Sequence, residues 1–295
     1  MAQTALLDLA TGYARLRPGG GGAGVPGTCE VAWVEGPDAL GFLQGLLTND
    51  VLALAVGGSK RALLLSAKGR IQADLRVART ADEELTLVTD AGAALVEALE
   101  RYHFSERVEV LGPEPADLVT LGGLEQRPEA DTDLAVDGLV PGTVDLLGDP
   151  ASILAALGLP EAPPEALQAL RVEAGVPRLG RDMTTASLVH EAGLERTAVS
   201  FEKGCFLGQE TVARTEHRGR PNRLLRGLRL PAAAAAGAAV RDGGREVGEV
   251  TSPAESPRLG PIALGVLRRE VVVGAEVEVE GLGAPGLVVE LPFSA

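Results

Sequence analysis

Residues 203–219 read KGCFLGQETVARTEHRG and carry one of only two cysteines in a chain of 295 residues. A thiol is a nucleophile or a metal ligand only as the thiolate, and a nearby cation or a helix N-terminus lowers its pKa toward neutrality. Both are at hand: Lys203 stands two residues before Cys205, and GQETVART after Gly208 reads as a helix whose free N–H groups face back toward the loop. Gly204 and Gly208 allow turns and close approaches that side chains would block. The pattern points to a reactive Cys205 tuned by Lys203, with Gln209 and Glu210 fixing the loop or touching a ligand. The same residues also fit a small buried thiol packed beside Phe206, as most free cysteines are. Cys29, at the start of an apolar strand, reads as buried.

Downstream, Arg214, Arg218, Arg220, Arg223, Arg226 and Arg229 fall within sixteen residues, with Glu216 the one acid among them. Such a concentration suits carboxylates or phosphates, although a solvated strand face at a hinge would look alike. Arg214 and Arg218, nearest the thiol loop, are the functional candidates. His217 has no Ser or Cys partner with an orienting acid at identifiable spacing, which excludes protease-type catalysis, and His103 and His190 read as structural. Two cysteines and three scattered histidines supply no metal-ligand set. The glycines of RPGGGGAGVPG, residues 17–27, fit GxGxxG through Gly19, Gly21 and Gly24, but no strand precedes them, so the segment reads as a flexible surface loop.

A formal charge of −14 opposes direct binding of tRNA or of an anionic membrane over most of the surface. The first residues lack the basic start and apolar run of a secretory signal, and with so few cysteines a reducing cytoplasm is the expected home.

The elements that must position these residues follow from periodicity. CEVAWVE reads as a strand, and Leu40, Leu43, Leu46 and Leu47 then line one face of a helix. RALLLSA and RIQADLRVA flank a turn at Lys68-Gly69, ELTLVTD is another strand, AGAALVEALERYHF a helix and RVEVLG a closing strand. The order is close to a ferredoxin-like unit. Short strands and helices repeat from about 115 to 175, and beyond Pro221 come apolar strands punctuated by Gly and Pro, as in a small barrel. The expected class is α+β, with a domain over 1–112, a second over 113–220 that ends in the KGCFLGQE loop, and a β-barrel over 221–295.

The block KGCFLGQE, residues 203–210, resembles the K-G-C-[FY]-x-G-Q-E signature of the YgfZ family, relatives of the glycine-cleavage T-protein. FLQGLLTNDV at 42–51, SAKGRIQADLRV at 66–77, RVEAGVPRLG at 171–180, HEAGL at 190–194 and VTSPAESPRLGPIALG at 250–265 resemble family blocks in the same order. The resemblance implies three domains in a ring around a central opening, where tetrahydrofolate or a derivative binds with the signature cysteine facing it. It implies a role in assembling or repairing iron–sulfur enzymes, including those that thiolate tRNA, with client or assembly proteins as partners. By resemblance to the T-protein's folate-contacting blocks, Asn49, Asp50, Arg171 and Glu173 are candidate ligand contacts, beside Gly204, Gly208, Gln209, Glu210, Arg214 and Arg218 from the signature region. Two departures bear on the alternative of tetrahydrofolate-dependent aminomethyl transfer. Ala73 stands where the T-protein resemblance calls for the first of two adjacent carboxylates, and no segment between 120 and 170 resembles its G-Y-T-G-E block.

Overall fold

The computed structural model describes residues 5–130, 132–219 and 221–294. Arg220 of the arginine cluster lies outside the described residues, and so does the side chain of Arg218.

The chain begins with α1 (Leu9–Leu16), whose N-terminus is capped by the Asp8 carboxylate accepting from Thr11 N at 2.9 Å. Next come β1 (Ala23–Glu35), α2 (Ala39–Leu46), β2 (Ser59–Leu65), β3 (Ile71–Ala81), β4 (Glu84–Thr89), α3 (Gly92–Arg101) and β5 (Glu109–Gly122). These are followed by β6 (Leu134–Asp137), β7 (Val144–Leu147), α4 (Pro150–Leu157), α5 (Pro164–Glu173), a 3-10 turn (Val189–Glu191) and α6 (Gln209–Arg218). The last unit is β8 (Arg223–Arg229), β9 (Ala239–Asp242), β10 (Arg245–Ser256), β11 (Gly260–Arg268), β12 (Glu276–Val279) and β13 (Gly286–Val289).

Seven strands form one antiparallel sheet in the order β2-β3-β4-β1-β5-β7-β6. β1 and β5 are its long spine, paired from Ala23 opposite Gly122 to Glu35 opposite Glu109. Residue 112 therefore falls inside a strand, and the segments read separately as RVEVLG and DLVTLGG are one continuous β5. The sheet curls until its two edges approach: Ser59 Oγ of β2 accepts from Asp137 N of β6 at 2.9 Å.

The glycine-rich segment differs from expectation, because Ala23–Gly27 is strand rather than surface loop. A Cβ on Gly24 would come within 2.5–2.7 Å of Leu154, Leu121 and Val119 side chains, so this glycine lets α4 pack close against the sheet.

On the convex side, α2 and α3 bury Leu43, Leu47, Leu95 and Leu99 against Leu64, Leu75, Leu85 and Leu87. Burying a leucine is worth ~1.5–3 kcal/mol, so this aliphatic layer dominates the local stability. The C-terminal strands close into a six-stranded barrel, β10-β11-β8-β13-β12-β9, around its own core of Leu228, Val240, Val250, Leu267 and Val288. The barrel docks through Leu225, Ile262, Leu264 and Phe293 on Val172 of α5. Among the described residues no helix is long and apolar enough to cross a membrane.

Candidate functional site

The signature loop packs on the β2–β3 hairpin. Phe206 and Val212 are buried with Leu63, Leu65, Ile71, Val189 and Leu194. Gly208 precedes α6 with φ +80, and a Cβ there would lie 2.6 Å from Ser66 O, so both its backbone angle and its contact demand glycine. The predicted turn at Gly69 (φ +72) abuts Thr211 of α6. His190 and Glu216 meet at 2.8 Å and tie α6 to the 3-10 turn. His103, tilted against the Phe42 ring and bonded to Glu106 O, braces the end of α3.

The donors of Lys203 are engaged away from the thiol. Its Nζ is buried and donates to Gln44 O at 2.6 Å, Leu47 O at 2.6 Å and Asn49 O at 2.9 Å. An ammonium has three donors, and all three are taken by carbonyls, so none is left for Cys205. Two of these carbonyls belong to the last turn and cap of α2, where the helix leaves acceptors without intrahelical partners and the macrodipole favours a cation. Burial lowers the ammonium to about 8 against the opposing pull of Asp50, and the Phe206 ring lies 5.3 Å from Nζ. Lys203 is the clamp that fixes the loop to α2.

Cys205 is exposed and Phe206 fills the apolar slot beneath it. Glu210 and Arg214 are also exposed and Gln209 half-buried. A Cβ on Gly204 would meet nothing within 4 Å, so packing places no demand on that glycine. Cys29 is buried inside the curled sheet, and desolvation pushes its thiol up to about 11. Arg223, Arg226 and Arg229 all fall on β8, where Arg229 donates to Ser294 O at 2.6 Å and Arg226 stands 4.0 Å from Glu290.

Asn49 and Asp50 shape the turn after α2. Asn49 Nδ2 donates to Arg61 O at 2.8 Å, and Asp50 Oδ1 accepts from Gln44 Nε2 at 3.1 Å. Nor do Arg171 and Glu173 pair with one another. Arg171 is held by Asp182 (2.8 Å), Val176 O and Ser252 Oγ, whereas Glu173 accepts from Tyr13 OH (2.7 Å), Arg258 Nη2 (2.8 Å) and Ser256 Oγ. Burial alone would raise the Glu173 carboxyl, but these hydroxyl and guanidinium donors outweigh it and hold it low. Glu173 thus knots α1, α5 and β10 together instead of facing a ligand.

A cavity of about 580 Å³ opens where the curled sheet, α5 and the barrel meet. Its walls include Gly27 and Thr28 of β1, Thr120 of β5, Gln168 of α5 and Pro253 of β10. Four arginines, Arg76, Arg171, Arg178 and Arg181, and three acids, Asp90, Asp145 and Glu165, line it. Of the residues singled out in the sequence only Arg171 is among them, and Cys205 is not.

The polar lining is graded by burial. Asp145 (4% exposed), Arg76 (7%) and Thr120 (8%) are inside. Arg178, paired with Asp90 at 3.0 Å, and Arg181 are exposed at the mouth. Asp145 Oδ1 accepts from Thr120 Oγ1 at 2.6 Å and Oδ2 lies 3.3 Å from Arg76 Nη1. Desolvation raises the Asp145 carboxyl, with Arg76 and Thr120 opposing. Only half of this pair left a signal in the sequence: Asp145 is a lone charge in the apolar strand VDLL, whereas Arg76 stands between Asp74 and Arg79 in β3. Such a charge pays for its burial only with a partner or a task.

Residues 28–111 match the GCVT N-terminal domain family, and residues 223–294 match the glycine cleavage T-protein C-terminal barrel domain. An aminomethyltransferase of Streptomyces avermitilis is 32% identical over 311 residues, spanning 88% of this chain and 82% of its own length. The tRNA-modifying protein YgfZ of Edwardsiella ictaluri is 28% identical over 225 residues, 66% of this chain and 67% of that protein. The crystal structure of glycine cleavage system aminomethyltransferase T from Bartonella henselae superposes with a TM-score of 0.81 at 25% identity, over 98% of this chain and 90% of that one.

Proposed function

The chain belongs to the glycine-cleavage T-protein family, and from that premise we propose that it binds a reduced folate in the central cavity and supports iron–sulfur enzymes through the exposed Cys205. The observation that carries the folate reading is the graded cavity. Its volume of about 580 Å³ suits a ligand of folate size. Buried polar groups at one end and exposed arginines at the other match a molecule with a hydrogen-bonding ring and a carboxylate tail. Arg178 and Arg181, which sequence reasoning did not single out, would receive the tail. In a chain of net charge −14 they place positive charge at the cavity mouth, that of Arg178 shared with Asp90.

Because Cys205 is exposed on a clamped loop and does not line the cavity, its thiol is directed at a partner protein rather than at the bound folate. Iron–sulfur client or assembly proteins, among them tRNA-thiolating enzymes, are the partners this reading names, and the cytoplasm its compartment. Cys205→Ser is expected to keep the fold and the folate affinity while losing the ability to restore iron–sulfur enzyme activity in cells lacking the protein. Full restoration would remove the thiol from the function.

The second reading is folate-dependent aminomethyl transfer, favoured by the 32% identity and 88% coverage of the aminomethyltransferase relative. Against it, Ala73 is fully buried in the core beneath α2 and α3, and its neighbour Asp74 is engaged by both Nε and Nη2 of Arg61 at 2.9 and 2.6 Å. Neither offers a free carboxylate to a substrate. Ammonia release from an aminomethylated lipoyl carrier in the presence of tetrahydrofolate would favour this second reading.

A further inference from the structure

The curled sheet holds a second hollow, of about 550 Å³, apart from the central cavity. On β1 the residues from Val25 to Thr28 line the central cavity, whereas Val31 and Trp33 line this one. Cys29 stands between them and is buried with Ala78, Val88 and Val136 in an apolar layer. Trp33, Leu134 and Leu147 supply the apolar surface of the second hollow, and its charged lining is of one sign. Glu84, Glu114, Asp117, Asp133 and Asp149 line it, and among the described residues no lysine, arginine or histidine does. Asp149 is engaged as the cap of α4, accepting from Ser152 N at 2.9 Å, and Glu84 accepts from Thr80 Oγ1 at 2.6 Å. Glu114, Asp117 and Asp133 have neither an ion pair nor a side-chain hydrogen bond among the described residues.

The wall between these acids asks for an occupant that donates hydrogen bonds. Trp33 and Thr86 stand directly opposite each other on β1 and β4, and both line the hollow. Thr86 is 3% exposed, and its one hydroxyl contact is Thr80 Oγ1 at 3.4 Å. Thr80 already gives its hydrogen to Glu84, so the hydrogen in that contact is Thr86's own, and the acceptor side of this buried hydroxyl meets no donor. The neighbouring indole is the aromatic surface that best attracts a cation. A bare metal ion does not fit, because among the described residues no three such groups lie close enough to hold one. A quaternary ammonium calls for a cage of rings, and Trp33 is the one aromatic residue in the lining. Separated carboxylates around an apolar surface suit a chain of methylene runs joined by ammonium groups. We propose that this second hollow binds an aliphatic polyamine, its methylenes against Trp33, Leu134 and Leu147 and its ammonium groups shared among Glu84, Glu114, Asp117 and Asp133. The site stands independently of the folate reading, since none of these residues lines the central cavity.

Trp33 is the chain's one tryptophan, so selectively excited indole emission reports from the site itself. The test titrates the full chain with spermidine, with putrescine and with magnesium chloride at matched ionic strength, following both emission and binding heat. Spermidine is expected to saturate a single site per chain and to bind at least about threefold more tightly than putrescine, which carries one ammonium fewer. Its affinity should fall as salt rises, because the carboxylates it meets are largely exposed. Glu114 and Asp133 are exposed and brace nothing, so the double variant Glu114→Gln with Asp133→Asn should melt like the wild type yet bind spermidine roughly tenfold more weakly. The proposal falls if spermidine gives no saturable change in the wild type, if magnesium reproduces the change at equal ionic strength, or if the folded double variant binds spermidine as the wild type does.

Discussion

Three carbonyls explain why Lys203 is a lysine. Lys203→Met keeps the aliphatic stem but strips charged donors from Gln44 O, Leu47 O and Asn49 O. A loss of about 2–4 kcal/mol is expected by denaturant titration. The pH dependence has a definite sign. The unfolded chain keeps this proton to near 10.5 whereas the folded chain releases it near 8, so between those values unfolding takes up a proton. Relative to Lys203→Met, the wild type should therefore gain stability as pH rises from 8 to 10. At the same scale, the two thiols should separate cleanly: an alkylating reagent is expected to add once per native chain, at exposed Cys205, and to reach Cys29 only on unfolding, because burial lifts that thiol to about 11. A second adduct on the native protein by mass spectrometry would contradict the buried position. That Cys205 sits on a glycine-flanked loop ahead of a helix was legible in the sequence; that Lys203 turns away from it was not, because its acceptors lie more than 150 residues earlier in the chain.

The elements were legible wherever local periodicity decides them. The α2 and α3 leucines, the Lys68-Gly69 turn and the punctuated strands of the barrel all follow from residue spacing. The glycine-rich segment misled because a strand that packs against α4 through Gly24 has no side chain to announce it. The curl was equally hidden, since it depends on the meeting of edge strands β2 and β6, and with it the Arg76–Asp145 pair. Gly208 carries a prediction at this level. Gly208→Ala places a Cβ 2.6 Å from Ser66 O at a φ of +80, and should cost about 1–3 kcal/mol. It should also loosen α6 from the β2–β3 hairpin, seen as faster amide exchange along α6 than in the sheet.

Across the whole molecule, an acidic chain folds a curled sheet, one linking helix and a closed barrel around a hollow with arginines at its mouth. Glu173 and Arg171, two residues apart on α5, both hold the barrel in place: one grips Ser256 and Arg258, the other Ser252 and Asp182. Arg171→Ala would thus strand Asp182 in the interior and disturb the joint itself, making it a poor probe of ligand contact. Arg181, exposed and lining the cavity, is the better one. The most direct measurement is an isothermal titration of the full chain with tetrahydrofolate, repeated on Arg181→Ala. One site per chain, weakened about tenfold by the substitution, is the expected result; an absence of binding heat in the wild type, or an affinity that Arg181→Ala leaves untouched, would contradict a folate seated in the central hollow with its tail at the arginine mouth.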